Sequence, residues 1–347
     1  MEEEKYMRRC IQLAQNGLCN TAPNPMVGAV IVCDGKIIGE GYHIRCGEAH
    51  AEVNAIRSVK EPSLLKRSTI YVSLEPCAHY GKTPPCADLI IEKQIPRIVI
   101  GCQDPFAKVA GRGIQKLKDA EREVIVGVLE EDCKNLIRRF VTFHSLHRPY
   151  ITLKWAESAD KHIDKCRKDG KPVILSTPLT SMLVHKRRAE HSAIMVGTHT
   201  AELDNPCLTV RSWQGQSPVR IVIDRQQHLS PSLHLFDDSI RTLVFTGQPH
   251  AAFPNTEYIV IDFQQNILPQ IMQHLYAQGL QSLLVEGGSY LLQSFINAEL
   301  WDEIFVEESP LKLFSGVKAP EIGNKIPYVN EQYFGRNFRH YIATRLG

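Results

Sequence analysis

Short apolar, β-branched runs punctuate this chain, and stretches with helical spacing separate most of them. In the first half they are GAVIV (28–32), KIIGEGY (36–42), STIYVSL (68–74), RIVIG (97–101) and EVIVGV (123–128). Met7, Cys10, Ile11 and Ala14 recur at three- and four-residue steps, which predicts a helix over 6–16. Further helices are expected from His50 to Val59, from about Cys86 to Lys93, and around 114–120. Asp34-Gly35 signals a hairpin between the first two strands. Such alternation leaves few choices beyond a sheet covered by helices, an α/β layer structure. No run approaches the roughly 18 residues that a membrane helix needs.

The alternation breaks around Phe143-His144-Ser145-Leu146-His147-Arg148-Pro149, and 347 residues suit two domains better than one. The boundary is placed near 145, giving domains 1–145 and 146–347. The second half repeats the theme with YITLKWA (150–156), a helix at LVHKRRAE, AIMVG (193–197), VRIVID (219–224), TLVFTG (242–247) and EYIVIDF (257–263). A helix near 269–278, SLLVE (282–286), Gly287-Gly288 opening a helix, and EIFVEE (303–308) follow, with 325–347 assigned to strands.

Charge narrows the partners. With 40 basic and 38 acidic residues there is no footprint for a polyanion, while a small phosphorylated ligand stays open. The N-terminal MEEEKYMRR lacks the pattern of a secretory signal, and ten cysteines are too sparse for a disulfide scaffold. Reduced thiols and a cytoplasmic location are expected, with no membrane and no nucleic-acid partner. Assembly as a homo-oligomer is a further expectation. Eight of the cysteines fall within the first 133 residues, a sign that the halves differ in chemistry.

The strongest local signal is His50-Ala51-Glu52 followed by Pro76-Cys77 and, nine residues later, Pro85-Cys86. One imidazole and two thiolates bind zinc while leaving a position for water. Glu52, two residues from the histidine, is placed to take that water's proton. Cys77 and Cys86 are each expected where a loop enters a helix, whose dipole favours the thiolate. The pattern resembles the H-x-E and P-C-x-x-C of zinc deaminases, with eight residues rather than two between the cysteines. A structural zinc site normally has four protein ligands and no fourth is evident, which favours a catalytic metal.

The strings APNPMVGAVIV, GEGYHIRCGEAHAEVNAI, YVSLEPCAHYGKTPPCADLI and QDPFAKVAGRGI resemble the bifunctional riboflavin-biosynthesis deaminase/reductase family across about residues 1–145. In that family the longer insert between the cysteines is usual. The resemblance implies zinc on His50, Cys77 and Cys86, and Glu52 as proton carrier. The implied substrate is a diaminopyrimidinone bearing a phosphoribosylamino group, which loses its exocyclic amine. Asn24 is a candidate for a base or ribose edge, against a plain Asx-turn. His79 and Lys82 are candidates for the phosphate, against a solvated loop.

In the second half GTHTAELDNPCLTVR (197–211), VRIVID and VEGG resemble the family's reductase half. The implied architecture is an N-terminal cytidine-deaminase-like three-layer α/β/α domain and a C-terminal dihydrofolate-reductase-like α/β domain that uses NADPH. By matching motif, Ala156, Thr200, Asp204 and Gly288 would contact NADPH. Arg188, Leu208, Arg211 and Glu286 would contact substrate, the arginines suiting a phosphate. The family's S-L-D-G reads Ser158-Ala159-Asp160-Lys161 here, and its G-x-S-x-W-I-T reads Gly170-Lys171-Pro172-Val173-Ile174-Leu175-Ser176, without the tryptophan. Asp160 and Lys154 are both candidates for the reductase's acid. A single-activity deaminase on a nucleoside or tRNA base, with a non-catalytic second domain, is the alternative, and a non-catalytic zinc-stabilised binding protein is a third reading.

Overall fold

The computed structural model describes residues 2–80, 84–105, 110–167, 171–251, 253–323 and 326–343. The chain divides into two units, Met1–His147 and Arg148–Gly347.

In the first unit β1 (Gly28–Cys33) is buried at every position, as a strand must be when helices cover both faces of its sheet. It turns through Asp34 and Gly35, at φ +50° and +73°, into β2 (Lys36–Tyr42), the left-handed pair a tight hairpin uses. β3 (Thr69–Leu74) lies antiparallel to β1, and β4 (Arg97–Cys102) and β5 (Glu123–Val126) continue in parallel. The order is β2-β1-β3-β4-β5 among the described residues. α1 (Glu2–Ala14) buries Tyr6, Met7, Cys10, Leu13 and Ala14 against one face, where α5 (Glu130–Leu136) meets it. α2 (Ala51–Ser58), α3 (Cys86–Glu92) and α4 (Arg112–Asp119) pack in series on the other. The three layers put the carboxyl ends of β3 and β4 beside the starts of α3 and α4.

α6 (Arg138–Leu146) runs through residues 143–146, where the sequence suggested a break. Nothing in FHSL forbids a helix. The stop comes at His147, left-handed at φ +52°, just before Arg148-Pro149.

The second unit's sheet has the order β11-β10-β9-β8-β12-β6-β13-β16-β15 among the described residues. β6 (Tyr150–Glu157), β8 (Ala193–Val196), β9 (Val219–Ile223), β10 (Thr242–Thr246), β11 (Thr256–Val260), β12 (Ser282–Val285) and β13 (Glu303–Glu308) are all parallel. Alternate residues serve opposite faces: Leu243, Phe245 and Leu283 enter one core cluster, Val244 and Leu284 the other. β15 (Tyr328–Tyr333) and β16 (Arg336–Ile342) form an antiparallel hairpin on one edge, within the stretch assigned to strands.

α7 (Pro178–Ala189) starts with a reciprocal Thr177–Thr180 capping box and proline at its first position. α9 (Ile267–Ala277) is capped by Asn266, and α10 (Ser289–Asn297) follows the glycine pair. In this unit α8 (Thr198–Asp204) and the small ribbon of β7 (His162–Asp164) with β14 (Val317–Lys318) went unread in the sequence. Both are too short for a periodic signal. No helix among the described residues is long and apolar enough to cross a membrane.

A candidate metal centre and a candidate cofactor cavity

His50 is the N-cap of α2, and Cys86 is the first residue of α3. Their side chains converge with that of Cys77: His50 Nδ1 lies 3.6 Å from Cys77 Sγ and 3.4 Å from Cys86 Sγ. These three form the one group of potential metal ligands of this kind among the described residues. The expectation of a helix start at both cysteines needs correction. Cys77 sits in a loop, and α3 begins only at Cys86. The dipole still reaches it, since the backbone N–H of Cys86 donates to Cys77 Sγ at 3.3 Å. The Cys86 thiol hydrogen bond pulls Cys77 down to about 4, with His50 assisting, while that same bond and burial push Cys86 up. The two sulfurs share one proton, and a divalent cation is the group that releases both. One nitrogen and two sulfurs, with no fourth protein donor among the described residues, is the set of an open zinc site.

Glu52 lies in the first turn of α2, 3% exposed. Burial, reinforced by the Cys77 charge, raises its carboxyl to about 7 although His50 pulls the other way. A carboxyl poised there passes a proton in either direction near neutrality.

Asn24 reaches the centre through a residue that the sequence reading missed. Its Nδ2 donates to His43 Nε2 at 3.1 Å, and His43 Nδ1 donates to the Ala49 carbonyl at 3.1 Å. That pairing fixes the tautomer, and burial lowers the His43 pKa and keeps the ring neutral. His43 stands edge-on to His50, ring centres 5.4 Å apart. A lone histidine at a strand exit carries no spacing signal, so nothing in the sequence marked it. His79 is exposed on the segment between the cysteines. Lys82 lies outside the described residues.

In the second unit a cavity of about 1610 Å³ opens at the carboxyl ends of β6, β8, β9 and β12. Parallel α/β sheets bind ligands there. It gathers Ala156, Thr200, Asp204, Gly288, Arg188 and Glu286. Gly288, at φ +73°, caps α10, and a Cβ on it would sit 3.1 Å from Thr200 Oγ1. The first turn of α8 therefore packs on the glycine pair that opens α10, and a helix start of this kind suits a phosphate.

Arg188 grips Glu286 in a two-point ion pair, at 3.0 and 2.7 Å, and also donates to the Thr209 carbonyl. Burial would raise Glu286, but Arg188 holds it below its ordinary value. Asp204 is ion-paired to Arg167, which also holds Asp164 at 2.6 Å. Leu208 and Arg211 do not line the cavity. Leu208, 3% exposed and at φ +54°, packs in the core cluster with Ala201 and Leu229, while Arg211 is exposed and donates to Thr209 Oγ1.

The two candidate acids separate cleanly. The Asp160 carboxylate is occupied by Ser158 Oγ and the N–H groups of Leu313 and Phe314, which hold it well below the usual carboxylate range. Lys154 lines the cavity, and burial lowers its pKa against the pull of Glu286 and Glu307. The departures from the family's strings also acquire a structure. Lys161, where the family's string has glycine, takes the left-handed conformation, φ +62°, and its ammonium is anchored on Glu157 at 2.6 Å. Ile174, in the tryptophan's place, is 78% exposed and lines the cavity. Gly170 lies outside the described residues.

Comparison with known proteins agrees with this division. A family model for the cytidine and deoxycytidylate deaminase zinc-binding region matches residues 1–102, and one for the RibD C-terminal domain matches 149–314. The riboflavin biosynthesis protein RibD of Bacillus amyloliquefaciens is 36% identical over 329 residues, covering 92% of this chain and 87% of that protein. A solved diaminohydroxyphosphoribosylaminopyrimidine deaminase/5-amino-6-(5-phosphoribosylamino)uracil reductase from Thermotoga maritima superposes with a TM-score of 0.89 at 37% identity, covering 98% of each chain. RibD from Acinetobacter baumannii gives 0.89 at 30% identity over 99% of each.

Proposed function

The chain belongs to the RibD family of riboflavin biosynthesis proteins, and from that premise we propose which of its residues carry each of two reactions. It is a bifunctional enzyme, a zinc-dependent deaminase and an NADPH-dependent reductase. The substrate is a 2,5-diaminopyrimidinone carrying a 5-phosphoribosylamino group, as the name of the Thermotoga maritima relative supports.

In the first unit His50, Cys77 and Cys86 would hold zinc, which would supply a water acidified into the neutral range. Glu52 accepts a proton from that water as it attacks the amidine carbon, and returns it to the amino nitrogen, which departs as ammonia. His43 and Asn24 present a fixed polar edge to the ring, and His79 with Lys82 would meet the phosphate. The observation that carries this reading is the convergence of three metal donors beside a buried carboxyl poised near neutrality.

In the second unit the Gly287-Gly288 turn, Thr200, Ala156 and Asp204 would hold the cofactor. NADPH would supply the hydride that reduces C1′ of the sugar to the ribityl level. Lys154 is the acid that protonates the ring oxygen as the sugar opens, a task suited to an ammonium whose pKa burial has lowered. Arg188 and Glu286 orient the substrate. Cytoplasmic residence and a homo-oligomeric state complete the proposal: ten cysteines in 347 residues, too sparse for a disulfide scaffold, fit a reducing compartment, and β15 exposes Tyr328, Val329 and Tyr333 at a sheet edge.

The test is mass analysis of products from the diaminopyrimidinone phosphate, with and without NADPH. The expected result is loss of one amino group without cofactor, and a further gain of two hydrogens with it. A product that never gains the hydrogens would leave a single-activity deaminase.

A further inference from the structure

Glu75 follows β3 directly, two residues before Cys77, and is 4% exposed. Four backbone N–H groups converge on its carboxylate. Oε2 accepts from Asp104 at 3.2 Å and Gly111 at 2.9 Å, and Oε1 from Gly113 at 2.8 Å and Ile114 at 3.2 Å. Gly111 is the N-cap of α4, and Gly113 and Ile114 belong to its first turn. No side chain of α4's own N-cap serves that turn, so Glu75 supplies the acceptors and negative charge from elsewhere in the chain. The approach is close. A Cβ on Gly113 would sit 2.0 Å from the Pro76 carbonyl oxygen, so only glycine lets α4 rest on the Glu75-Pro76 segment.

A second tie runs from the next turn of α4. Lys116 is ion-paired with Asp88 of α3, the helix that Cys86 opens, and lies 6.0 Å over the Tyr80 ring. α4 is thus fastened to both cysteine segments, through Glu75 and Pro76 to Cys77 and through Asp88 to Cys86.

We propose that Glu75 is a positioning residue for the metal centre: by seating the first turn of α4 against Pro76, it fixes the separation and direction of the two sulfurs that share an ion with His50. The inference rests on the zinc reading of those three residues. A carboxylate is required because a glutamine offers one acceptor oxygen and turns its amide hydrogens toward two N–H donors. Partners of this kind, one layer behind the ligands, typically set metal affinity by 10–100-fold.

The experiment compares full-length wild type with Glu75→Gln, Glu75→Asp and Lys116→Gln. Zinc affinity is measured by competition with a chromophoric chelator, and the cobalt(II) form by its sulfur-to-cobalt and ligand-field absorption. Glu75→Gln is expected to weaken zinc roughly 10–100-fold and to shift the cobalt bands, Glu75→Asp to recover part of both. Lys116→Gln should weaken zinc only about two- to fivefold, in keeping with a partly exposed pair. Reductase turnover, measured on the same samples, should stay at the wild-type level and reports that the chain is folded. Wild-type zinc affinity together with an unchanged cobalt spectrum in Glu75→Gln would overturn the proposal, whatever happens to its melting temperature. If that variant does not fold, an unchanged affinity and spectrum in Lys116→Gln would overturn it instead. A wild type that takes up neither metal would refute the metal centre itself, a separate outcome.

Discussion

Each unit buries a glutamate at its site, and the pKa values of the two are shifted in opposite directions. Among the described residues no cation is ion-paired with Glu52, and burial beside the Cys77 sulfur raises its carboxyl to about 7. The Glu286 side chain is 11% exposed, yet the Arg188 guanidinium keeps it ionised. The first is a proton carrier and the second a fixed anion. What separates them is one arginine, not depth of burial.

That contrast yields expectations that fall in order of size. Glu52→Gln should lower deamination by roughly 10²–10⁴-fold while leaving zinc content and reduction of the deaminated intermediate untouched. Measured ammonia release that survives the change would end the proton-carrier role. Lys154→Met should cost reduction about 10²-fold, with NADPH still binding and deamination intact. A drop in NADPH affinity of the same size would reassign Lys154 to cofactor binding.

Arg188→Met tests the other glutamate through stability. Removing one partner of a largely buried pair is expected to cost about 3 kcal/mol, read from the urea midpoint of the second unit's unfolding. The sign of its pH dependence is sharper still. In the wild type the folded pKa of Glu286 lies below the unfolded value of about 4.3, so its contribution is full above that pH and fades as pH falls through the folded pKa. Without Arg188 burial is opposed only by the weaker pull of Lys154 and His185, and the folded pKa rises. Stability of the variant should then decline as pH climbs above about 4, where the wild type is flat with respect to this group. A variant that keeps the wild-type profile would show that something other than Arg188 sets the charge.

The smallest effect belongs to Lys161→Gly. Relief of a left-handed φ and loss of a half-exposed ion pair to Glu157 nearly cancel, so stability should change by less than about 1 kcal/mol. NADPH affinity should hold within about twofold by fluorescence titration. A large loss would mean that the departure from the family's glycine weakens the cofactor site.

The first unit's site was legible because its chemistry is written as residue types at short spacings. His50, Glu52, Cys77 and Cys86 all come from a strand exit or helix start that the apolar pattern had already located. Glu75 and His43 escaped, since a backbone-capping carboxylate and a neutral histidine depend on what folds back upon them, which spacing does not record. The second unit's sheet was equally readable from its β-branched runs, but not the short α8 and β7 that frame the cavity. Its pairings were invisible for the same reason: Arg188 and Glu286 are 98 residues apart and make one ion pair. Two residues singled out for substrate illustrate the limit. A motif can mark Leu208 and Arg211, but whether they face a cavity is decided by the backbone, which sends Leu208 into the core and leaves Arg211 outside.

Zinc-edge X-ray absorption of the purified enzyme addresses the central arrangement directly. The account predicts two sulfurs at about 2.3 Å, one imidazole nitrogen at about 2.0–2.1 Å, and a fourth light-atom ligand that exchanges with solvent. A third sulfur, a second imidazole, or a sphere closed by protein alone would contradict it.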